Sequence, residues 1–238
     1  MAVLEYWPAL LQGLWVTVWV SLCIIFGAAF GSVILGALRL SKSPVVRAAT
    51  MLFIESVRGP SALVLLFWVY YALPLIPGMP HLGPVTAAIL VLALDASAYG
   101  AEIVRAGIES VHRGQGDACH ALGLSNLQGF RKVVLPQALS QIVPGFGSLA
   151  RGIFKWTAIV SFIGVPDLLY VGGYIHGQTF ETVSVFCLIA AIYWILTLLC
   201  AVVFRFIEQL LPLNRALRAA RTSVQITSEA AALAGVAQ

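Results

Sequence analysis

The chain has 238 residues, of which 60% are apolar and only 10% charged, with a mean hydropathy of +0.94. A soluble domain carries roughly 25% charged residues, so a water-covered globular surface is excluded, as are a disordered chain, a collagen and a disulfide-stapled secreted domain. Fourteen Lys and Arg against ten Asp and Glu leave +4, too small an excess to point to nucleic acid; the composition predicts an all-α integral membrane protein.

A helix needs about 20 mostly apolar residues to cross the hydrocarbon core. No Lys or Arg precedes Arg39, so the start lacks the basic region of a cleaved signal peptide, and the first hydrophobic run is expected to remain as a span. That span is predicted at about Leu11 to Leu35, and within it Gly27 and Gly31 have the GxxxG spacing that lets helices approach closely. A second span is predicted from about Thr50 to Leu73. Pro74, Pro77, Pro80 and Pro84 end it, because prolines at that density cannot continue a helix. The third span is expected at Val85 to Val104, the fourth at Pro136 to Val165, and the fifth at Val183 to Phe204. Together they define a transmembrane domain over residues 10–211, followed by a basic and then unstructured tail over 212–238.

Basic residues set the expected orientation. Arg39, Lys42 and Arg47 follow the first span, and Arg105, Arg113, Arg131 and Lys132 lie between the third and fourth. Arg205, Arg215, Arg218 and Arg221 follow the fifth. The connections Pro74–Pro84 and Pro166–Thr182 hold no Lys or Arg. By the positive-inside rule the basic segments face the cytoplasm, with the N-terminus outside and the C-terminus inside. The tail arginines stand close enough to meet anionic headgroups. Cys23, Cys119, Cys187 and Cys200 form no CxxC pair and read as small apolar residues. Cys119-His120 beside His112 lacks the further ligands that a metal site needs.

The cytoplasmic stretch over about residues 105–135 is patterned. Gly114 and Gly116 are expected to break the helix leaving the third span, and Asp117 to stand as an N-cap. Ala118, Ala121 and Leu122 follow at helical spacing, Gly123 is placed at C′, and Ser125-Asn126-Leu127-Gln128 is a capping box. Pro136 marks the return to the membrane. Two readings stand: a helical hairpin lying on the membrane, or a short exposed helix whose small-residue face docks into another protein.

Four runs carry a resemblance: Ala98-Tyr99-Gly100-Ala101-Glu102-Ile103-Val104-Arg105-Ala106-Gly107-Ile108, Gly114-Gln115-Gly116-Asp117-Ala118-Cys119, Ala121-Leu122-Gly123-Leu124-Ser125 and Val133-Val134-Leu135-Pro136-Gln137-Ala138-Leu139. Together they resemble the EAA loop of bacterial ABC-importer membrane subunits, in the branch that carries polar amino acids. That loop reads Glu-Ala-Ala, three residues, Gly, nine residues, Ile-x-Leu-Pro. Gly123 and Leu135-Pro136 fall at those offsets, with Val133 for Ile, Asp117 for Glu and Cys119 for the second Ala. The resemblance implies that Gly114, Asp117, Ala118, Ala121, Gly123 and Pro136 form the coupling segment against a cytoplasmic ATPase dimer. It further implies a second permease subunit, paralogous or identical, and an extracytoplasmic solute-binding protein, at the bacterial plasma (inner) membrane. The chain has no G-x-x-x-x-G-K-[ST], so ATP and Mg are expected on the partner and no cofactor on this chain.

A charge at mid-membrane costs on the order of 2.5–3.5 kcal/mol on insertion scales and normally has a partner or faces water. Glu55, Asp95, Glu102, Arg58, Arg151 and Lys155 are the ionisable residues in or near spans. Glu55 and Arg58 are three apart and can pair; Arg151 and Lys155 are four apart and repel unless an anion lies between them. Such residues either pair between helices or line a path for a zwitterion, and those near span ends can snorkel. Arg58-Gly59-Pro60-Ser61 and Lys155-Trp156-Thr157-Ala158-Ile159 are similar to the branch's Arg-Gly-Thr-Pro and Lys-Asp-Thr-Ser-Leu. Ser148 occupies a position where that branch usually has Asn. Arg58, Ser61, Asp95, Ser148, Arg151, Lys155 and Thr157 are thereby the substrate-path candidates. The run Phe67-Trp68-Val69-Tyr70-Tyr71-Ala72-Leu73-Pro74 is similar to ectoine and hydroxyectoine permeases; the same aromatics equally suit an interfacial belt. The function expected is inward conduction of a polar amino acid or related zwitterionic solute with no covalent chemistry. An intramembrane enzyme built on Glu102, Asp95 or His120 would need an HExxH or a nucleophile grouping, and an ion channel a filter or charge ring; neither is in the sequence.

Overall fold

The computed structural model describes residues 5–112 and 114–211. The expected tail over 212–238, with Arg215, Arg218 and Arg221, lies outside them, as does Arg113. The described residues form helices, and no strand occurs among them. Helix α1 (Trp7–Arg39) places Pro8 in its first turn, where a missing N–H costs nothing, and Arg39 in its last, against the negative end of the helix dipole. At 33 residues it is about 50 Å long, more than the hydrocarbon core requires. One face (Leu10, Gly13, Thr17, Val20, Ile24, Ala28, Ser32) is buried, while Trp15, Trp19, Phe26 and Phe30 stand exposed on another, as a lipid-facing surface does.

The second span is not the continuous helix expected over Thr50 to Leu73. It is broken into α2 (Pro44–Arg58) and α3 (Ala62–Phe67), and the chain bends by 91° between them. Pro60 supplies the cause, having no N–H and a ring that clashes with the carbonyl four residues back. Beyond α3 the chain widens into a π turn (Trp68–Ala72) and tightens into a 3-10 turn (Leu73–Leu75). The same widening occurs over Phe130–Val134. Each π turn is closed by the leucine before a proline, Leu73 N–H reaching Trp68 O and Leu135 N–H reaching Phe130 O. A five-residue bond of this kind carries the chain past the carbonyl that the Pro74 or Pro136 ring would strike.

Helix α4 (Pro84–Glu109) is the third span. After α5 (Gly114–Ala121) and α6 (Asn126–Gly129) comes α7 (Leu135–Trp156), extended by a 3-10 stretch, Thr157–Ile163, that ends at Gly164 with φ +82°. The connection Pro166–Thr182, expected to be a loop, instead carries α8 (Leu168–Thr179). The last span is α9 (Thr182–Leu210). Among the described residues four helices are long and apolar enough to cross a membrane, and five spans result when the bent pair counts as one.

The chain divides into two compact units. Among the described residues, one comprises 5–105 and 145–202; the other comprises 106–112, 114–144 and 203–211. In the first, Val20, Ile24, Leu66, Ala88, Leu92, Ala96, Ile153 and Val165 make the main core, and Leu10, Leu168, Ile175, Val185 and Ile189 a smaller one. Gly27 and Gly31 meet Ala93 and Ser97 of α4, so the GxxxG pair lies in a helix–helix seam. In the second unit the end of α4 crosses the start of α7 so closely that a Cβ on Gly107 would strike Ile142.

Candidate functional site

The second unit holds the patterned segment. Helix α5 starts at Gly114, whose N–H donates to His112 Nδ1 at 3.1 Å. Asp117 therefore lies inside the first turn rather than at the N-cap: both glycines accept helical backbone angles, and a histidine side chain caps the first amide. The carboxylate still faces the positive end of the helix dipole. At the other end Gly123 takes φ +72°, with its N–H on His120 O and that of Leu124 on Cys119 O, both at 3.0 Å. This is the Schellman arrangement, and glycine fits it because other residues strain there. The capping box expected from Ser125 and Gln128 forms, Gln128 N–H donating to Ser125 Oγ at 3.3 Å and Ser125 N–H to Gln128 Oε1 at 3.0 Å. Cys119 is buried against Gly129, where a Cβ would lie 3.1 Å from its own. Asp117, Ala118, Ala121 and Gly123 are exposed, Gly114 and Pro136 partly so. Leu122 is 78% exposed and Leu127 65%, an uncovered apolar pair beside small residues.

The first unit contains the intramembrane charges. Glu102 is clamped, Arg39 Nε donating to Oε1 at 3.1 Å and Arg105 Nε to Oε2 at 2.8 Å, so it ties α1 to α4 by ion pairing. Arg58 ends α2 at the break. Its Nη1 lies 3.8 Å from Glu55, its guanidinium sits 4.5 Å over the Tyr99 ring, and its buried Nε has no hydrogen-bond partner among the described residues. Tyr99 in turn lies against Trp156 at 5.7 Å between centroids. Asp95 is buried on α4, one turn before Tyr99. Arg58, Tyr99 and Trp156 are thus brought together at the helix break, and Ser61 begins α3 exposed beside it.

Arg151 donates to Ser148 Oγ at 2.9 Å, and Lys155 stands in an open groove of about 500 Å³ with Tyr193, Trp194 and Thr197 of α9. Thr157 is fully buried, donating to Phe154 O at 2.9 Å and accepting from Ser21 Oγ at 3.3 Å, so it fastens helices together.

Sequence reasoning passed over Asp167. It is fully buried, caps α8 by accepting from Tyr170 N–H at 2.9 Å, and accepts from Tyr193 OH at 3.1 Å. The next amide, Leu168 N–H, donates 3.0 Å to Thr17 Oγ1 on α1. Three helices meet at this one junction. The sequence signal was there, an Asp directly before the apolar run Leu168-Leu169-Tyr170-Val171.

Residues 24–212 match the family described as "Binding-protein-dependent transport system inner membrane component". A probable amino-acid ABC transporter permease protein of Sinorhizobium fredii is 36% identical over 208 residues, covering 86% of this chain and 87% of its own. The glutamine transport system permease protein of Escherichia coli is 31% identical, covering 85% and 94%. The crystal structure of an amino acid ABC transporter with histidines superposes with a TM-score of 0.80 at 30% identity, over 87% of this chain and 96% of that one.

Proposed function

We propose a substrate class and a coupling mode for this chain, which belongs to the binding-protein-dependent transport system inner membrane component family and is an amino-acid ABC transporter permease subunit. It is a multi-pass inner-membrane protein and not an enzyme; ATP hydrolysis belongs to a separate subunit. It works with a cytoplasmic ATPase dimer, a second permease subunit that is paralogous or identical, and an extracytoplasmic solute-binding protein. Helix α5 sits in a cleft of the ATPase, so that closure of the ATPase dimer on ATP moves the membrane helices between inward and outward access.

The observation that carries this reading is the preformed, exposed α5–α6 pair. Its ends are stopped by a Schellman turn and a capping box, so the chain orders this segment on its own, and Asp117, Ala118, Ala121 and Gly123 are left free for a partner. The solute is a polar amino acid or related zwitterion. Arg58, with hydrogen-bonding capacity not taken up by the protein, suits its carboxylate, and Asp95 or Glu55 its ammonium. Ectoine and hydroxyectoine, which are cyclic zwitterions, are candidates within that class, and the aromatic run from Phe67 to Tyr71 supports them.

The test is uptake by proteoliposomes holding the complete transporter. Uptake should require ATP, and Ala121→Arg or Gly123→Asp should reduce it at least a hundredfold while membrane insertion stays normal. Competition by zwitterionic amino acids and ectoine, set against amides that lack the carboxylate, identifies the class. Uptake that persists without nucleotide would reject the coupling.

A further inference from the structure

We infer that the turn closing α8 is the docking knob for the external solute-binding protein, with Phe180 as the inserted side chain and Tyr174 and Glu181 beside it; this rests on the transporter reading above. Phe180 has φ 57° and ψ 9°, in the left-handed region, and is the one non-glycine residue with positive φ among those described. The other three such positions, Gly78, Gly123 and Gly164, carry the residue that this backbone favours. Here a bulky aromatic takes the strained position, and its side chain is 81% exposed, so burial within the chain does not offset the strain. Strain of this kind at an exposed side chain points to a role outside the fold.

The turn is held rigidly. Phe180 N–H donates to His176 O at 2.8 Å, Thr182 N–H to Phe180 O at 3.0 Å, and Glu181 N–H to Thr179 Oγ1 at 3.3 Å. The His176 Nδ1 and Thr182 Oγ1 atoms meet at 3.3 Å across it. Along α8, Tyr170 and Tyr174 are exposed, and Gly173 and Gly177 leave open space where a Cβ would meet nothing. Tyr6 packs edge-on against Tyr174, with centroids 6.5 Å apart, which brings exposed Glu5 to the same neighbourhood.

Charge decides the occupant. The neighbourhood carries Glu5 and Glu181, and the sequence has no Lys or Arg between Lys155 and Arg205 or before Arg39. An anionic phospholipid surface is repelled by such a face, which lacks the cations that anchor interfacial aromatics. A protein lobe with an apolar pocket and a Lys/Arg rim is attracted by it. Rigid, exposed aromatics are the residues on which such interfaces concentrate their binding energy.

The experiment uses the complete transporter in nanodiscs, titrated with its solute-loaded binding protein while ATPase stimulation is followed. Phe180→Ala and Glu181→Lys should each raise the half-saturating concentration at least tenfold and leave basal ATPase activity and the maximal stimulated rate unchanged. Phe180→Gly relaxes the backbone and keeps the fold, so an equal loss there assigns the effect to the ring. An unchanged half-saturation in Phe180→Ala and Phe180→Gly would overturn the inference. So would quenching of the added fluorescence of Phe180→Trp by brominated lipid, which would seat the side chain in the bilayer. A wild-type complex unresponsive to its binding protein would overturn the transporter reading itself, which is a separate result.

Discussion

Asp167 shows how much one side chain can bear. Its two oxygens accept from α8 and α9, and the amide that follows it is taken by Thr17 of α1. Burial pushes its carboxyl up to about 6 from an ordinary 3.8, although the hydrogen bonds from Tyr170 and Tyr193 favour the charged form. The folded protein then keeps this proton at a pH where the unfolded chain has lost it. The destabilisation is absent below about pH 4, grows through the interval and is complete above about pH 6, where it amounts to about 3 kcal/mol. The thermal midpoint of the wild-type protein in detergent should therefore fall, relative to that of Asp167→Asn, as the pH is raised from 4.5 to 7. Parallel curves for the two proteins over that range would refute this.

At the scale of elements the seam between α1 and α4 is the sharpest case. A Cβ on Gly31 would come within 2.8 Å of Ser97 Cβ and closer still to its hydroxyl, whereas one on Gly27 would stand 3.0 Å from Ala93 Cβ alone. Forcing an extra methyl into a packed seam costs about 1–3 kcal/mol, so Gly31→Ala should lower resistance to SDS-induced unfolding by that much and Gly27→Ala by less. Equal losses would mean that the seam is looser than its geometry. The spacing of Gly27 and Gly31 was legible in the sequence, but their partner was not, because α4 comes into register with α1 only through tertiary packing. The break at Pro60 went unread for a different reason. A hydropathy window over Thr50 to Leu73 sums side-chain transfer and is blind to a missing backbone donor. Helix α8 was passed over because Leu168–Thr179 is too short for a span, although Asp167 announced its start.

For the whole molecule, the features legible in the sequence are those that chemistry enforces locally. Apolar length gave the spans, and the run from Asp117 to Pro136 gave the α5–α6 pair, because a Schellman glycine and a capping box leave a fixed spacing whatever surrounds them. The gathering of Arg58, Tyr99 and Trp156 left no such mark, since three separate helices contribute and each residue alone reads as interfacial or core. The orientation we propose follows from where the cations sit, and it makes opposite demands on two exposed residues. In a background with Cys23 and Cys187 replaced by Ser, Leu122→Cys should react with a membrane-impermeant maleimide only in inverted vesicles, and Phe180→Cys only in spheroplasts. Labelling of both from one side would overturn that orientation, and reaction of Leu122→Cys in spheroplasts would in addition remove α5 from reach of any cytoplasmic ATPase, because a helix that meets the wrong solvent cannot meet that partner.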